Sequence, residues 1–345
     1  MSRRSQLSRV IGGEELSSDE LQATFDAIMA GEVDPVWAGG LLTALATRGE
    51  VVGEVVGAAR SMRSASTPFV SPLTANAVDT CGTGGDGAGT FNISTASAFV
   101  VASAGQTVVK HGNRAVSSKS GSADLLLALG AVIDISPGAM AEVLVDTNLA
   151  FLFAPRYHPA MRHAVPIRRS LGVRTLFNLL GPICNPAGVS RQVVGVFDRK
   201  WLTLCDVLKA LGTERAMVVH GADGLDELSL SGPTHVAELR DGVVTKREIN
   251  PEDVGLARCS LDALRGGDAE ANARTLRLIF APCESPAENP IARAVMFNAG
   301  AALTVGGRCQ TLAEGVALAK SQLGSGAALA CVERFVEATK ARRGT

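Results

Sequence analysis

Asp79-Thr-Cys-Gly-Thr-Gly-Gly-Asp86, Asn92-Ile-Ser-Thr95, Lys110-His-Gly-Asn-Arg114 and Ser117-Ser118-Lys119-Ser120-Gly121-Ser122 follow one another closely in the chain. Each group attracts anions by a different physical route. Clustered glycines let backbone amides close around an anion as a nest. Ser94 and Thr95 open an apolar, small-residue run, and the free amides at a helix start favour negative charge. Lys110 ends the apolar run Val108-Val109 and brings a positive charge to a turn rich in amide and hydroxyl donors. A tight turn or a routine helix cap needs fewer polar residues than these. One ligand carrying several phosphates would engage all the groups.

Outward from this stretch the pattern alternates. Ala77–Thr80, Thr107–Lys110, Val132–Ile135, Ala150–Phe153, Gln192–Phe197 and Ala216–His220 read as short apolar strands. Helical runs at Ser94–Ala104, Ser122–Leu129, Ala139–Thr147 and Lys200–Leu211 lie between them. Such alternation predicts an α/β fold with a mostly parallel central sheet flanked by helices. Ligands of such sheets bind beyond the carboxyl ends of the strands, where all the quoted turns fall.

Before residue 73 the pattern differs. Ser17 with Glu20 forms a capping box ahead of Leu21, Phe25, Ile28 and Met29. Asp34-Pro35 starts a second helix through Trp37, Leu41, Leu42 and Leu45, and a third runs from about Gly53 to Met62. Three short antiparallel helices make a small helical domain over 1–72. Ser64–Ala75 reads as its linker to an α/β domain over 73–345, whose tail from Glu270 to Lys340 is mostly helical.

Composition narrows the function. The 345 residues carry 33 basic and 34 acidic side chains, a net charge of −1, which argues against a general nucleic-acid binder. Seven cysteines, an odd number with no CxxC pair, suit reduced thiols in a cytoplasmic enzyme and exclude a zinc spacing. Arg3-Arg4 has no apolar stretch behind it, so no secretory signal is expected, and no run of 18 apolar residues exists. Gly82-Thr-Gly84-Gly85-Asp86-Gly87 fits GxGxxG, but a dinucleotide site adds an acidic residue at the next strand end. Here that strand ends in Lys110-His111.

A dense polyphosphate brings Mg²⁺, which takes oxygen ligands. The acidic candidates are Asp226 and Glu227, in a loop after the apolar strand Ala216–His220 and so on the same rim. Arg168-Arg169, before Leu171-Gly172, offer a fork for a carboxylate. His158, Met161 and Pro155 can wall an apolar slot, and Leu179-Leu-Gly-Pro182-Ile-Cys-Asn185-Pro186 is a rigid turn able to close it.

With His158-Pro159 and Phe177-Asn-Leu-Leu-Gly-Pro182 added, this ordered set resembles the anthranilate phosphoribosyltransferase family over nearly the whole chain. The resemblance implies a cytoplasmic homodimer with a small helical domain and an α/β domain. A helical segment near 167–190 would pack on the former. The ligands implied are phosphoribosyl pyrophosphate, anthranilate and Mg²⁺, two ions per subunit. Gly82, Gly85, Asp86, Thr90, Asn92, Ile93, Ser94, Thr95, Lys110, His111, Gly112, Asn113, Arg114, Ala115, Val116, Ser117, Ser118 and Ser122 would hold the donor. Gly82, His111, Asn113, His158, Met161 and Arg168 would hold anthranilate. Ser94, Asp226 and Glu227 would ligate metal. Lys110 and Arg168 would be the catalytic pair, one on the leaving pyrophosphate and the other orienting the acceptor. Trp37, Cys184 and Ala281–Pro286 depart from the family's usual residues, away from phosphate and metal positions.

Three other readings compete. A nucleoside phosphorylase would need no acidic pair, a nucleic-acid binder would need a basic groove, and a nicotinamide oxidoreductase would need the missing ribose carboxylate.

Overall fold

The computed structural model describes residues 3–115 and 118–344. Val116 and Ser117 lie outside the described residues. Four helices come first: α1 (Arg3–Ile11), α2 (Ser18–Ala30), α3 (Pro35–Arg48) and α4 (Val52–Ser64). Ser17 and Glu20 form the expected capping box, and the Asp34 carboxylate accepts the Val36 and Trp37 amides at 2.9 and 3.0 Å. The sequence reading counted three helices here and missed α1, whose nine residues are strongly polar.

Glu54 is the polar centre of this bundle and is fully buried. Its carboxylate accepts the Leu16 amide at 3.0 Å and the Val51 amide at 3.2 Å, and it pairs with Arg48. One side chain thus joins the α1–α2 and α3–α4 connections.

The strands are β1 (Val78–Gly82), β2 (Val108–Gly112), β3 (Leu149–Phe153), β4 (Arg191–Gly195), β5 (Arg215–Gly221), β6 (Thr234–Arg240) and β7 (Val243–Ile249). They form one sheet in the order β3-β2-β1-β4-β5-β6-β7. The first five run parallel, and β6 and β7 are antiparallel additions. The sequence reading missed the β6–β7 hairpin. Its signal was present, because Asp241-Gly242 is a preferred two-residue turn and both residues have positive φ, 52° and 74°.

Between β1 and β2 runs α5 (Ile93–Ser103), and α6 (Ser122–Ala128) and α7 (Pro137–Thr147) lie before β3. The segment 132–135, expected as a strand, is an irregular connection instead. It pairs with no strand among the described residues. The Val132 amide donates to Thr339 Oγ1 at 3.1 Å, a partner far away in sequence.

After β3 come α8 (Ala154–Tyr157), α9 (Met161–Leu171) and α10 (Phe177–Ile183); α11 (Leu204–Ala210) joins β4 to β5. The chain ends in α12 (Ala269–Phe280), α13 (Pro290–Gly306), α14 (Leu312–Gly324) and α15 (Ala327–Ala341).

Strand alternation sorts the core into two. Val193, Met217 and Val219 join α5, α7 and α13 on one face. Val194, Ala216 and Val218 face the other way, and join α10, α11 and the helical bundle in one continuous cluster. Helices α9 and α10 therefore pack on the bundle although they follow β3. Arg63 of α4 fixes this return by donating to the Ile183 carbonyl at 2.7 and 2.9 Å.

Glu54→Ala leaves the Leu16 and Val51 amides and Arg48 without their shared acceptor. It is expected to cost about 3–5 kcal/mol, read as a lowered midpoint in chemical denaturation.

Candidate active site

The chain leaves β1 toward β2 and β3, then returns to β4 on the other side of β1. The switch point is therefore the crevice at the carboxyl ends of β1 and β4, where open α/β sheets bind ligands. The Asp226–Glu227 loop lies across it. A Cβ on Gly195, which ends β4, would sit 1.6 Å from the Asp226 carbonyl oxygen, and one on Gly82 would sit 2.5 Å from Asp226 Oδ2. Only glycine admits this approach.

The loop is held from behind. Ser229 donates to Asp223 Oδ2 at 2.7 Å and Ser231 at 2.5 Å, while Asn298 brackets the Leu228 backbone at 2.9 and 3.2 Å. In front, Gly84 N–H donates to Asp226 Oδ2 at 2.7 Å, and Ser94 N–H to Glu227 Oε1 at 3.1 Å. Both acids reach the surface only in part. Burial raises both above the usual carboxylate range; Asp86 adds to this for Asp226, and Asp226 adds to it for Glu227.

Beyond the crevice β1 and β2 part company. Their register pairs Val78 with Val108 alone, whereas β1–β4 and β2–β3 each pair five residues. Side chains bridge the gap. Lys110 Nζ donates to the Thr80 carbonyl and lies 3.4 Å from Ser94 Oγ, and Asp79 Oδ1 accepts the His111 amide at 3.3 Å. Asn185 Nδ2 donates to Asp79 Oδ2 and to the Val109 carbonyl, both at 2.8 Å. Asp79 is fully buried; burial lifts its pKa to about 6 against the opposing pull of Lys110.

Alternation along β2 then divides the site. Lys110 turns toward the start of α5, and His111 to the opposite face. His111 Nδ1 lies 3.0 Å from the Gly181 carbonyl, so that nitrogen carries the proton and Nε2 keeps a lone pair. Its ring centroid lies 5.0 Å from that of His158, with the two planes tilted by 56°. Burial lowers the two imidazoles to about 3 and about 4, so both are neutral. Neither Nε2 atom has a partner among the described residues. Arg168, half-buried on α9, lies 5.6 Å above the Phe177 ring of α10, the helix that also supplies the Gly181 carbonyl to His111, and burial lowers its pKa. Its guanidinium makes no ion pair among the described residues.

The other predicted residues that the structure describes make contacts of their own. Asn92 bonds Ser120 and Asn272, and Thr95 Oγ1 donates to Ser122 Oγ at 2.9 Å. Asp86 caps the Ala88 amide, and Thr90 bridges to Arg265. Asn113, Arg114 and Ser118 are exposed at the rim, and the Ala115 amide donates to Asp124. The Ile93 side chain is buried, which leaves only its backbone for a ligand. Gly112 packs against the Phe151 ring at the end of β2, and Met161 starts α9 beside the bundle core. Sequence reasoning missed four supporting residues: Asp79, Asp124, Asn272 and Arg174, which donates to the Gly85 carbonyl and stacks 4.1 Å above Phe197. Only Asp79 carried a local signal, a charged residue inside an apolar strand.

A helical bundle on a mostly parallel sheet, with a glycine turn and an acidic loop at the switch point, matches the two-domain glycosyl transferase class. Residues 4–66 match the glycosyl transferase family helical bundle domain, and 74–329 match its a/b domain. The chain is 51% identical to the anthranilate phosphoribosyltransferase of Azorhizobium caulinodans, over 97% of this chain and 96% of that one. It superposes on the crystal structure of the Thermus thermophilus enzyme of that name with a TM-score of 0.90 at 45% identity, covering 97% and 99% of the two chains. The Saccharomyces cerevisiae enzyme, in complex with PRPP and Mg, gives 0.88 at 27% identity and covers 98% of each. The chain belongs to the anthranilate phosphoribosyltransferase family.

Gly195→Ala is expected to push the acidic loop off the strand ends. It should abolish the thermal stabilisation conferred by Mg²⁺ with pyrophosphate. Gly53→Ala, with open space around its Cβ, should retain it. Equal stabilisation of both variants in differential scanning fluorimetry would refute the close approach.

Proposed function

We propose that this chain transfers the 5-phosphoribosyl group of phosphoribosyl pyrophosphate to the amine of anthranilate, releasing pyrophosphate. The observation that carries this reading is the division of β2, with a buried lysine on one face and a neutral histidine pair on the other, against the same helix α10 on whose Phe177 ring Arg168 lies. A polyanion fits the first face and a small aromatic carboxylate the second.

On the donor side, the Gly82–Gly85 amides, Asp86, Thr90, Asn92, the start of α5 through Ile93, Ser94 and Thr95, and the 110–118 and Ser122 turns cradle phosphates and ribose. Lys110 meets the charge that grows on the departing pyrophosphate. On the acceptor side, Arg168 takes the carboxylate in a bidentate fork, and Phe177 and Met161 limit its movement. The unpartnered Nε2 atoms of His111 and His158 accept hydrogen bonds from the amine, and Asn113 stands where the two ligands meet. The amine lone pair is delocalised into its ring. Bond breaking between C1 and the pyrophosphate oxygen therefore leads, and both electrons leave with that oxygen. The nitrogen then bonds C1 and releases a proton. These residues contribute mainly position and fixed charge.

The donor set also suits Mg²⁺. Two enclosed carboxylates that repel one another beside Asp86 gain most from a hard cation, and Ser94 Oγ adds a further oxygen. Asp226 and Glu227 would hold one ion and Ser94 a second, two per subunit; bound there, the cations neutralise phosphate charge.

The domain division falls near residue 72, with α9 and α10 returning to the bundle. The bundle also offers a second copy of the chain an apolar groove of about 1100 Å³, lined by Val10, Ile11, Val36, Gly40, Ile167 and Leu171. Ile11 is 72% exposed and Val36 83%, a cost in water that a homodimer removes. No described helix is long and apolar enough to cross a membrane.

Anthranilate fluorescence should disappear when phosphoribosyl pyrophosphate and Mg²⁺ are added to the protein; persistence of the signal refutes the reaction. In the same assay Arg168→Ala should raise KM for anthranilate by about 10–100-fold, the worth of a charged hydrogen bond, and leave the donor KM nearly unchanged. Equal rises in both would remove Arg168 from the acceptor side. Ile11→Asp with Val36→Asp should give a monomer mass in light scattering, where the parent gives a dimer.

A further inference from the structure

We propose that Asp226 and Glu227 act in the ligand-free protein as internal stand-ins for the donor's phosphates. They block the amides that a diphosphate needs, so the site rejects metal-free diphosphate and admits it with a divalent cation. The inference rests on the reading of this rim as the donor site, and goes beyond it by giving the acidic pair a second role, in selection.

The argument begins with who holds the anion-seeking amides. Gly84 N–H sits in the glycine turn, and Ser94 N–H in the first turn of an 11-residue helix. Both positions favour negative charge. In this structure each is taken by a carboxylate of the chain itself, Gly84 by Asp226 at 2.7 Å and Ser94 by Glu227 at 3.1 Å. An incoming diphosphate must displace them.

The loop itself has little room to retreat. Gly195 and Gly82 are packed against Asp226, two serines fix Asp223, and Asn298 brackets Leu228. Release must therefore occur by rotation of the two side chains alone. Rotation without a new partner exposes two carboxylates to the arriving phosphates, with Asp86 nearby. With a divalent cation in reach, the carboxylates exchange an amide for the cation and the amides become free for phosphate. The same two groups thus close the anion site in one state and hold its cation in the other.

The test is pyrophosphate binding by titration calorimetry to the full chain, first in EDTA and then with Mg²⁺. The parent should bind at least about 100-fold more weakly in EDTA. Asp226→Asn with Glu227→Gln keeps the shape and removes the charges. In EDTA this variant should bind pyrophosphate at least about tenfold more tightly than the parent, as expected when a charged competitor for an amide is lost. The gain should persist in about 0.5 M KCl, where repulsion between charges not in contact is screened. Hydrogen exchange at the Gly84 and Ser94 amides, slow in the ligand-free parent, should quicken in the variant. Equal or weaker binding by the variant in EDTA, a gain that vanishes in salt, or unchanged exchange would each overturn the stand-in role. A parent whose pyrophosphate binding is indifferent to Mg²⁺ would overturn the donor-site reading itself, and that arm does not involve the variant.

Discussion

The architecture of the site depends on the parting of β1 and β2. Parallel neighbours normally continue their ladder, and a broken ladder leaves buried amides and carbonyls without partners, at a cost of about 1–3 kcal/mol each. Here the missing bonds are supplied by side chains. Asp79 receives the His111 amide and Lys110 reaches the Thr80 carbonyl. The two charges also offset one another in a region where either alone would be expensive. The same substitution that keeps the strands satisfied opens the space between their ends. Sheet and candidate site are thus one arrangement, since the side chains that repair the sheet also fix Lys110 and His111 in place.

The bundle enters this arrangement through a detour of the chain. After β3 the polypeptide leaves the sheet, runs through α9 and α10 along the bundle, and returns at Asn185-Pro186 to β4. The detour carries Arg168 and places the Gly181 carbonyl beneath His111. Its ends are tied to the sheet by Asn185 on Asp79 and to the bundle by Arg63 on Ile183. Any shift of the bundle against the sheet therefore moves Arg168 relative to Lys110. Arg174 adds a direct link from the same detour to the glycine turn at Gly85. The geometry around Arg168 is set by the packing of helices, and that around Lys110 by the sheet.

Local chemistry was legible in the sequence because it is written in residue types. Glycines, hydroxyls, Lys110 and the acidic pair stand out by residue type alone, and the strand–helix alternation predicts one rim for them, where Gly84 meets Asp226 and Ser94 meets both Glu227 and Lys110. What was not legible depends on partners distant in the chain. Thr339, far away in sequence, holds the Val132 amide where a strand was expected. Asn272 supports Asn92 from 180 residues away. The β6–β7 hairpin was missed despite Asp241-Gly242, because β7 is mostly exposed and lacks an apolar run.

The division of β2 shows why resemblance and geometry give different kinds of knowledge. By resemblance, Lys110, His111, Gly112 and Asn113 form one binding stretch. By geometry they cannot act alike, since consecutive side chains of a strand point to opposite faces. Lys110 is surrounded by Thr80 and Ser94, His111 by Gly181 and His158, and Gly112 packs against Phe151. A shift of β2 by one residue would exchange the cation for the imidazole and place a neutral nitrogen beside Ser94 at the start of α5. The five-residue register with β3 prevents that shift, and Phe151 filling the space beside Gly112 reinforces it. The outer strand of the sheet, which contributes no predicted site residue of its own, thereby decides which face of β2 carries the lysine and which the histidine.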